Sequence, residues 1–418
     1  MGTMLNVLMI GSVWPEPESS GAGLRMMQYI QVFRQQGWNV TFASTAAASE
    51  HMADLDMYSV HRVTVTVNDY TFDTFVAELQ PDLVLFDRFT MEEQFGWRVE
   101  KHCPQAVRML ETIDLHCLRH ARHSQFKRHP AVVQDVPTAA LYNDVAIREI
   151  ASLYRSDISI LTSDYEMKLL QERFAVPAAM IHFCPFMFDA QQVHVSSPRF
   201  EQRQHFMTIG NFRHAPNWDA VLWLKQTIWP LIRAQLPQAE LHVYGSYAPP
   251  KAMALHHPDS GFYVQGRADD VEIVMQQARV CLAPLRFGAG IKTKLADAMR
   301  NGTPSITTSV GAEGMTGGHD WPGTITDDAK TFADAAVVLY QQRERWQQAQ
   351  SLGFDMFRYQ FDIKINADAL IQRLKHILNH IESHRRDNFY GSMLRHHQHR
   401  STEFMSRWIE AKNKLPAD

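Results

Sequence analysis

Short apolar runs alternate with amphipathic stretches along the first half of the chain. Residues 5–10 form an apolar run that ends at Gly11, and residues 24–36 carry apolar side chains at helical spacing before Gly37. Further runs predict strands at residues 39–43, 62–67, 82–86, 106–110 and 158–162. Strands separated by helical stretches indicate βαβ units and a parallel sheet.

The same alternation returns after a polar stretch at residues 188–204, which contains Ser196-Ser-Pro198 and predicts a linker. Asn217 is expected to cap the first helix beyond it. The later strands are predicted at residues 206–209, 241–244, 261–265, 280–284 and 305–308.

These patterns predict an α/β chain of two doubly wound, Rossmann-like domains that face a cleft. The expected boundaries are residues 1–195 for an amino-terminal Rossmann-like domain and 205–365 for a carboxy-terminal one. Residues 366–418 read as a helical carboxy-terminal extension.

The length, charge and composition of the chain exclude some classes of protein. A chain of 418 residues is too long for one typical core, and a net charge of −4 argues against a nucleic-acid partner. The four cysteines are scattered, without metal or disulfide spacing. Since residues 4–11 lack a charged leader and no apolar run is long enough to span a membrane, we expect a cytoplasmic protein.

A glycine loop and a short helix at residues 284–304 carry the strongest chemical signal. Gly288 and Gly290 allow the backbone to approach a ligand, and Lys292 and Lys294 add positive charge where the next helix begins. Asp297 lies seven residues beyond Gly290, or about 10 Å at the rise of a helix, a fitting distance from a diphosphate to a ribose. The pattern predicts a nucleoside diphosphate site, and the alternative is an ordinary helix with solvated lysines.

The segment from residue 206 to 314 resembles the nucleotide-sugar site of the retaining family-4 glycosyltransferases (glycosyl transferases group 1), which have the GT-B fold. Besides the Gly-Ala-Gly-Ile-Lys loop, the resemblance rests on Gly210-Asn-Phe-Arg-His-Ala-Pro-Asn217, Tyr244-Gly-Ser246 and Gly311-Ala-Glu-Gly314. It implies a glycosyltransferase of hexosyl type, active in glycan biosynthesis, that takes a nucleotide-sugar donor and retains the anomeric configuration. It also implies that neither a metal nor another cofactor is needed.

The same resemblance makes residues 1–195 the acceptor-side domain and residues 205–365 the nucleotide-sugar-binding domain, and it assigns further donor contacts. Gly21 and Gly23 lie in a loop that closes over the donor phosphates in this family, and Gly245 and Arg213 lie in loops of the donor side. Glu313 is either a solvated turn carboxylate or a neighbour of the donor sugar.

Two positions depart from the family pattern. Ala289 stands where the family has a glutamate that contacts the sugar, and Asp297 replaces the second glutamate, which binds the ribose. Asn217 lies near the position of a phosphate-binding lysine. We therefore expect Lys292 and Lys294 to supply the missing charge.

The segment Glu111-Thr-Ile-Asp-Leu-His116 follows a strand and supplies the candidate catalytic residues. Asp114 is the first choice, as base or charge stabiliser, and His116 the second. A helix cap and a surface histidine are the structural alternatives.

Two basic stretches bear on the acceptor, which the sequence does not identify. Residues 116–129 hold four Lys/Arg and four His and no acid, as expected of a solvated face or of a site for an anionic glycan or lipid-linked acceptor. In the tail, Phe404, Met405 and Trp408 follow basic residues, so this segment either packs on the body or makes a peripheral contact with a membrane.

Two other functions of the protein stay open, a non-catalytic nucleotide-sugar-binding subunit and a GT-B sugar-nucleotide epimerase.

Overall fold

Two parallel sheets organise the chain, one in each of two units. The computed structural model describes residues 4–190, 193 and 197–413. Unit 1 comprises Met1–Cys117, Tyr142–Cys184 and Ile365–Asp418, and unit 2 comprises Leu118–Leu141 and Pro185–Lys364.

Unit 1 is built on a seven-stranded parallel sheet in the order β3-β2-β1-β4-β5-β6-β7. Its strands are β1 (Asn6–Gly11), β2 (Asn39–Ser44), β3 (Val60–Thr64), β4 (Leu83–Asp87), β5 (Val107–Glu111), β6 (Ile158–Leu161) and β7 (Ile181–Phe183). The helices between them are α1 (Gly21–Gln35), α2 (Thr71–Leu79), α3 (Phe89–His102), α4 (His116–Arg128), α5 (Thr138–Leu141), α6 (Asp144–Arg155) and α7 (Asp164–Phe174). Helix α4 begins in unit 1 and belongs to unit 2 from Leu118 onward, as does α5. The central strands are buried along their whole length, as a sheet covered by helices on both faces requires.

Unit 2 has a six-stranded parallel sheet in the order β10-β9-β8-β11-β12-β13. Its strands are β8 (Gln204–Ile209), β9 (Leu241–Tyr244), β10 (Phe262–Gly266), β11 (Ala278–Ala283), β12 (Ser305–Thr307) and β13 (Gly323–Ile325). The helices are α8 (Ala215–Trp223), α9 (Trp229–Gln235), α10 (Pro250–Met253), α11 (Val271–Gln277), α12 (Thr293–Arg300), α13 (Ser309–Ala312), α14 (Ala329–Gln341) and α15 (Arg343–Phe361). Phe206, Trp229, Leu282 and Trp346 lie in one hydrophobic core that joins the strands to their helices.

The carboxy-terminal segment is helical, as predicted, and packs on unit 1. It contains α16 (Ile363–Asn379), α17 (Ile381–Arg386), α18 (Phe389–Leu394) and α19 (Arg400–Asn413), with a π turn at Arg395–His399 between the last two. Its strongest attachment is Arg385, whose guanidinium donates to both oxygens of the buried Asp157 at 2.7 and 2.8 Å and to the carbonyl of Ala106 at 2.7 Å.

The predicted fold class is confirmed, with two parallel Rossmann-like sheets and a helical carboxy-terminal region. Strands β7 and β13, of three residues each, were not predicted. Residues 118–141 belong to unit 2 rather than to the amino-terminal domain expected from sequence. Part of the predicted linker, residues 191, 192 and 194–196, lies outside the described residues.

The prediction that Asn217 caps a helix is wrong. Helix α8 starts two residues earlier, at Ala215, with His214 at its N-cap and a proline in its first turn. Proline has no backbone N–H to be capped, so the helix can begin without a polar cap side chain.

The Asp157–Arg385 pair should contribute measurably to the stability of unit 1. Burial alone would raise the pKa of Asp157, yet Arg108 and Arg385 hold it at about 2. Its stabilising effect is therefore complete above pH of about 4 and is lost as the pH falls toward 2. We expect Arg385→Gln to lower the free energy of unfolding by roughly 3 kcal/mol at pH 7 in urea titrations.

Arg386→Gln is the matched control, because Arg386 is the next residue along the chain and is exposed. An equal loss in both variants would show that the Asp157 pair does not anchor the extension.

Candidate functional site

The carboxyl ends of β8 and β11 form the topological switch point of the unit 2 sheet. The two strands are paired, but the chain leaves β8 toward β9 on one side and β11 toward β12 on the other. Loops that diverge in this way leave a crevice beyond the strand ends, where open α/β sheets bind their ligands.

Two glycines bring the β8 and β9 loops together. A Cβ atom on Gly245 would lie 2.2 Å from the carbonyl oxygen of Gly210 and 2.6 Å from the ring of Phe212. A Cβ atom on Gly210 would lie 2.7 Å from the ammonium nitrogen of Lys294. Any larger residue at Gly210 or Gly245 would displace its neighbours. The β8 loop therefore packs against the β9 loop and the Lys294 side chain of α12 so closely that neither glycine position has room for a side chain.

The β11 loop has the backbone shape that the sequence predicted. Gly288 has φ 145° and Gly290 has φ 66°, values that residues with a Cβ atom rarely adopt. Lys292 is the N-cap residue of α12, and its ammonium group donates to the carbonyl of Gly290. Ala289 is buried between the two glycines.

Lys294 lies in the first turn of α12 and points to the β8 loop. Its ammonium group donates to the side-chain oxygen of Asn217 at 2.9 Å, and the Asn217 amide donates to the carbonyl of Asn211 at 3.1 Å. Burial lowers the pKa of Lys294 from 10.5 to about 8, with a further lowering by the nearby Lys292. A partly buried cation in a crowded crevice would gain from an anionic ligand.

Asp297 and Arg213 lie on elements of the same crevice. Asp297 is on α12, where Arg300 pairs with it at 3.4 Å. Arg213 is exposed in the β8 loop, and its guanidinium lies 3.6 Å from the ring centre of Tyr247 in the β9 loop. Their assignment to the ribose and the diphosphate stays a prediction.

Glu313 is not a solvated turn carboxylate. It is buried, and Arg122 donates to its two oxygens at 2.8 and 2.6 Å. The same guanidinium donates to the carbonyl of Gly288 at 2.9 Å and to that of Gln134. One fully buried arginine therefore joins the glycine loop after β11 to the turn after β12.

Arg122 was missed because it lies in a run rich in Arg, Lys and His that resembles a solvated face. The sequence did contain one sign of its burial: Arg122 has helical spacing with Leu118 and Ala121, which lie on the same buried side of α4. That side of the helix covers the β11 loop, since the rings of His123 and Phe126 each stack on Phe287, with ring centres 4.7 Å apart. The solvated-face interpretation of residues 116–129 is therefore wrong for this side.

In unit 1, the predicted glycine loop forms the start of α1. Ser20 caps the helix by accepting from the N–H of Gly23, and a Cβ atom on Gly23 would lie 2.4 Å from the carbonyl of Glu16. Gly21 is the first residue of the helix. Arg25, near the start of the same helix, is fully buried and pairs with Glu111 at 3.1 Å.

Asp114 and His116 lie in a strained turn after β5. Ile113 has φ 61°, which is unfavourable for a β-branched residue. Buried carboxylates accept from the backbone N–H groups of the turn: Glu111 from Ile113, Glu166 from Leu115, and Glu149 from His116 and Cys117. The Asp114 carboxylate is buried and lies 3.6 Å from the His116 ring nitrogen. A turn fixed at such cost is typical of a functional segment. The His116 side chain is only 19% exposed, unlike the surface histidine of the structural alternative.

Glu149 is a further titratable group near this turn that the sequence did not reveal. Burial raises its pKa to about 7, against the lowering effect of the N–H groups of Cys117 and His116, and the negative charge of Asp114 raises it further. It lies on the buried side of α6, and no motif surrounds it.

Comparisons with known proteins agree with this geometry. Residues 203–342, which hold β8 to α14, match the family model of the glycosyl transferases group 1. An uncharacterized 44.6 kDa protein of the cps region of Klebsiella pneumoniae is 24% identical over 156 residues. That match spans 36% of this chain and only 38% of the curated relative.

The similarity to solved structures extends over most of the chain. A glycosyltransferase from Rickettsia africae has a TM-score of 0.67 at 10% identity, covering 90% of this chain and 99% of that one. HepE from Anabaena, in complex with UDP and glucose, has a TM-score of 0.65 at 12% identity and covers 89% and 99%. The pneumococcal O-GlcNAc transferase GtfA, in complex with UDP and GlcNAc, has a TM-score of 0.66 at 13% identity and covers 90% and 100%.

The chain therefore has the GT-B fold, and its segment from residue 203 to residue 342 matches the family model of the glycosyl transferases group 1.

Proposed function

We propose that this protein transfers a sugar from a nucleotide-sugar donor to an acceptor hydroxyl. The observation that carries the proposal is the crevice of unit 2, where two glycine loops and the half-buried ammonium group of Lys294 meet at the switch point of the sheet. The family match of residues 203–342 supports it. The complexes of HepE and GtfA with UDP make uridine nucleotides the first donors to examine.

In the proposed complex the donor diphosphate lies at the start of α12. Lys294 exchanges its bond to Asn217 for one to a phosphate oxygen, and the N–H groups of the first helical turn add their partial charge. Lys292 adds a second full charge at the N-cap. Asp297, one turn further, accepts from a ribose hydroxyl in place of Arg300.

The leaving diphosphate gains negative charge as the sugar bond breaks, so the two lysines stabilise the transition state more than the ground state. We propose that the reaction retains the anomeric configuration and that the departing diphosphate takes the acceptor proton. Ala289 offers no carboxylate beside the sugar, which argues against a covalent intermediate at this position. Asp114 and His116 are the proposed catalytic residues of unit 1.

A second candidate, a nucleotide-sugar-binding subunit without activity, is favoured by the same Ala289. The two candidates differ in one measurable respect. The enzyme should hydrolyse or transfer the donor sugar, at least slowly, whereas the binding subunit should bind the donor without any turnover.

A thermal-shift panel of UDP-, GDP-, ADP- and dTDP-sugars should identify one donor base. A ligand at 100 times its dissociation constant stabilises a protein by about 2.7 kcal/mol. Asp297→Ala should weaken binding of that donor roughly tenfold or more, since a hydrogen bond to a charged group is lost. Asp355→Ala is the control, because Asp355 forms an equivalent pair with Arg358 on α15, at 3.3 Å. No response to any donor would contradict the proposed function.

Donor affinity should fall as the pH rises above 8. Because the pKa of Lys294 is about 8 without ligand, a more alkaline solution leaves the amine neutral, and the complex must then take up a proton. The association constant should drop by up to about tenfold per pH unit between pH 8 and 10 in calorimetric titrations. Lys294→Arg keeps its charge and should flatten this dependence. The same slope in both proteins would rule out Lys294 as the titrating group.

The Arg122–Glu313 pair should position the donor loop as well as stabilise unit 2. Arg122→Gln leaves a buried carboxylate without its partner and should cost about 3–5 kcal/mol of unfolding free energy in urea titrations. The double variant Arg122→Met/Glu313→Leu removes both charges and should recover most of that stability. It should still bind the donor more than about tenfold weaker, since Gly288 has lost its anchor. Normal donor affinity in the stable double variant would show that the pair has only a structural role.

A further inference from the structure

The last described segment of unit 1 is a helix whose polar side faces the protein. Helix α18, the π turn Arg395–His399 and helix α19 follow one another without a break from residue 389 to 413, and we call this segment the outer helix. Its buried side chains are polar: Arg395, His399 and Ser406. Ordinary surface helices bury an apolar side instead.

Ion pairs and hydrogen bonds hold the outer helix to α3. Arg98, which is buried, donates to the Ser406 hydroxyl at 2.9 Å and to the carboxylate of Glu410. His399 pairs with Glu100 and with Glu92. Since these contacts fix one side of the helix, they also fix which side is presented to the solvent.

The side presented to the solvent is apolar. Phe389, Tyr390 and Met393 are 72%, 65% and 42% exposed, and Phe404, Met405 and Trp408 are 65%, 59% and 60% exposed. On α19 these positions follow helical spacing, with Lys412 one turn beyond Trp408 and the buried Ser406 on the opposite side. Large apolar side chains gathered on one side of a helix mark an interaction surface, whereas scattered ones do not.

The charges on this side are of one sign. Arg400, Arg407 and Lys412 are exposed, and among the exposed side chains described between residues 389 and 413 none is acidic. The acids of the outer helix are only partly exposed: Glu403 pairs with Lys101 and Arg407, and Glu410 with Arg98.

An open basic groove of about 550 Å³ adjoins the outer helix. Two acids and four permanent cations line it, together with histidines: Glu100, Glu403, Lys101, Arg395, Arg400, Arg407, His396 and His399. The surplus of positive charge suits a phosphate group next to the apolar side chains.

We propose that the outer helix binds the surface of an anionic lipid bilayer. Aromatic and apolar side chains on one side of a helix, together with Arg and Lys, are the composition of helices that lie in the bilayer interface. Phe404, Met405 and Trp408 enter the boundary between headgroups and acyl chains, and Arg400, Arg407 and Lys412 contact lipid phosphates. Among the described residues, no helix is long and apolar enough to cross a membrane.

Vesicle sedimentation of the full chain tests this proposal. The protein should sediment with vesicles of phosphatidylglycerol and phosphatidylcholine, less so at high salt, and remain in solution with pure phosphatidylcholine. The triple variant Phe404→Ser, Met405→Ser and Trp408→Ser should bind more than about tenfold weaker. Since all three side chains are exposed, its thermal melt should match that of the unchanged protein.

A second triple variant is the matched control. Met57→Ser, Ile273→Ser and Tyr359→Ser change residues that are 81%, 53% and 66% exposed. They lie on the turn Leu55–Tyr58 and on helices α11 and α15, whereas the outer helix packs on α3 and α6. This variant should bind vesicles like the unchanged protein.

Three results would overturn the proposal: no sedimentation of the unchanged protein with anionic vesicles, equal loss in both triple variants, or a dimer that the Phe404 variant dissociates. The last would assign the apolar side to a second copy of the chain. None of these measurements involves a nucleotide-sugar, so they are independent of the proposed function.

Discussion

The buried ion pair between Arg122 and Glu313 is the interaction on which the crevice of unit 2 depends. Two charges removed from water are stable only if each satisfies the other, so the pair allows one arrangement of the β11 loop, the β12 turn and helix α4. The Arg122 guanidinium also donates to the carbonyl of Gly288. This bond restrains the β11 loop, whose glycines allow the backbone more conformations than other residues would. The rigidity of the crevice thus comes from a helix that the sequence places far from the loop.

The parts of the molecule that follow from local patterns could be predicted from the sequence. The strand runs, the glycine loop at 288–290 and the helix that starts after Lys292 depend on periodicity, on the backbone freedom of glycine and on short-range charge. Arg122 and Glu149 could not be found in this way, because their roles depend on partners distant in the chain. Arg25 is a similar case, because its burial depends on Glu111, which is distant in the chain.

The same contrast between local pattern and distant partner explains the outer helix. From the sequence alone, its apolar residues could either pack on the body of the protein or contact a membrane. Only the buried contacts of Arg98 and His399 show that the polar side faces inward and the aromatic side faces the solvent. The protein thus carries two positively charged surfaces with different chemistry: a crevice made of backbone and lysine in unit 2 and a helix of aromatic side chains and arginine in unit 1.

A crystal structure with a bound nucleoside diphosphate tests the central claim most directly. The phosphates should lie between the Gly210 and Gly290 loops, with an oxygen within about 3 Å of the Lys294 nitrogen and the bond from Lys294 to Asn217 broken. A diphosphate bound elsewhere, with Lys294 still bonded to Asn217, would contradict the assignment of this crevice to the donor.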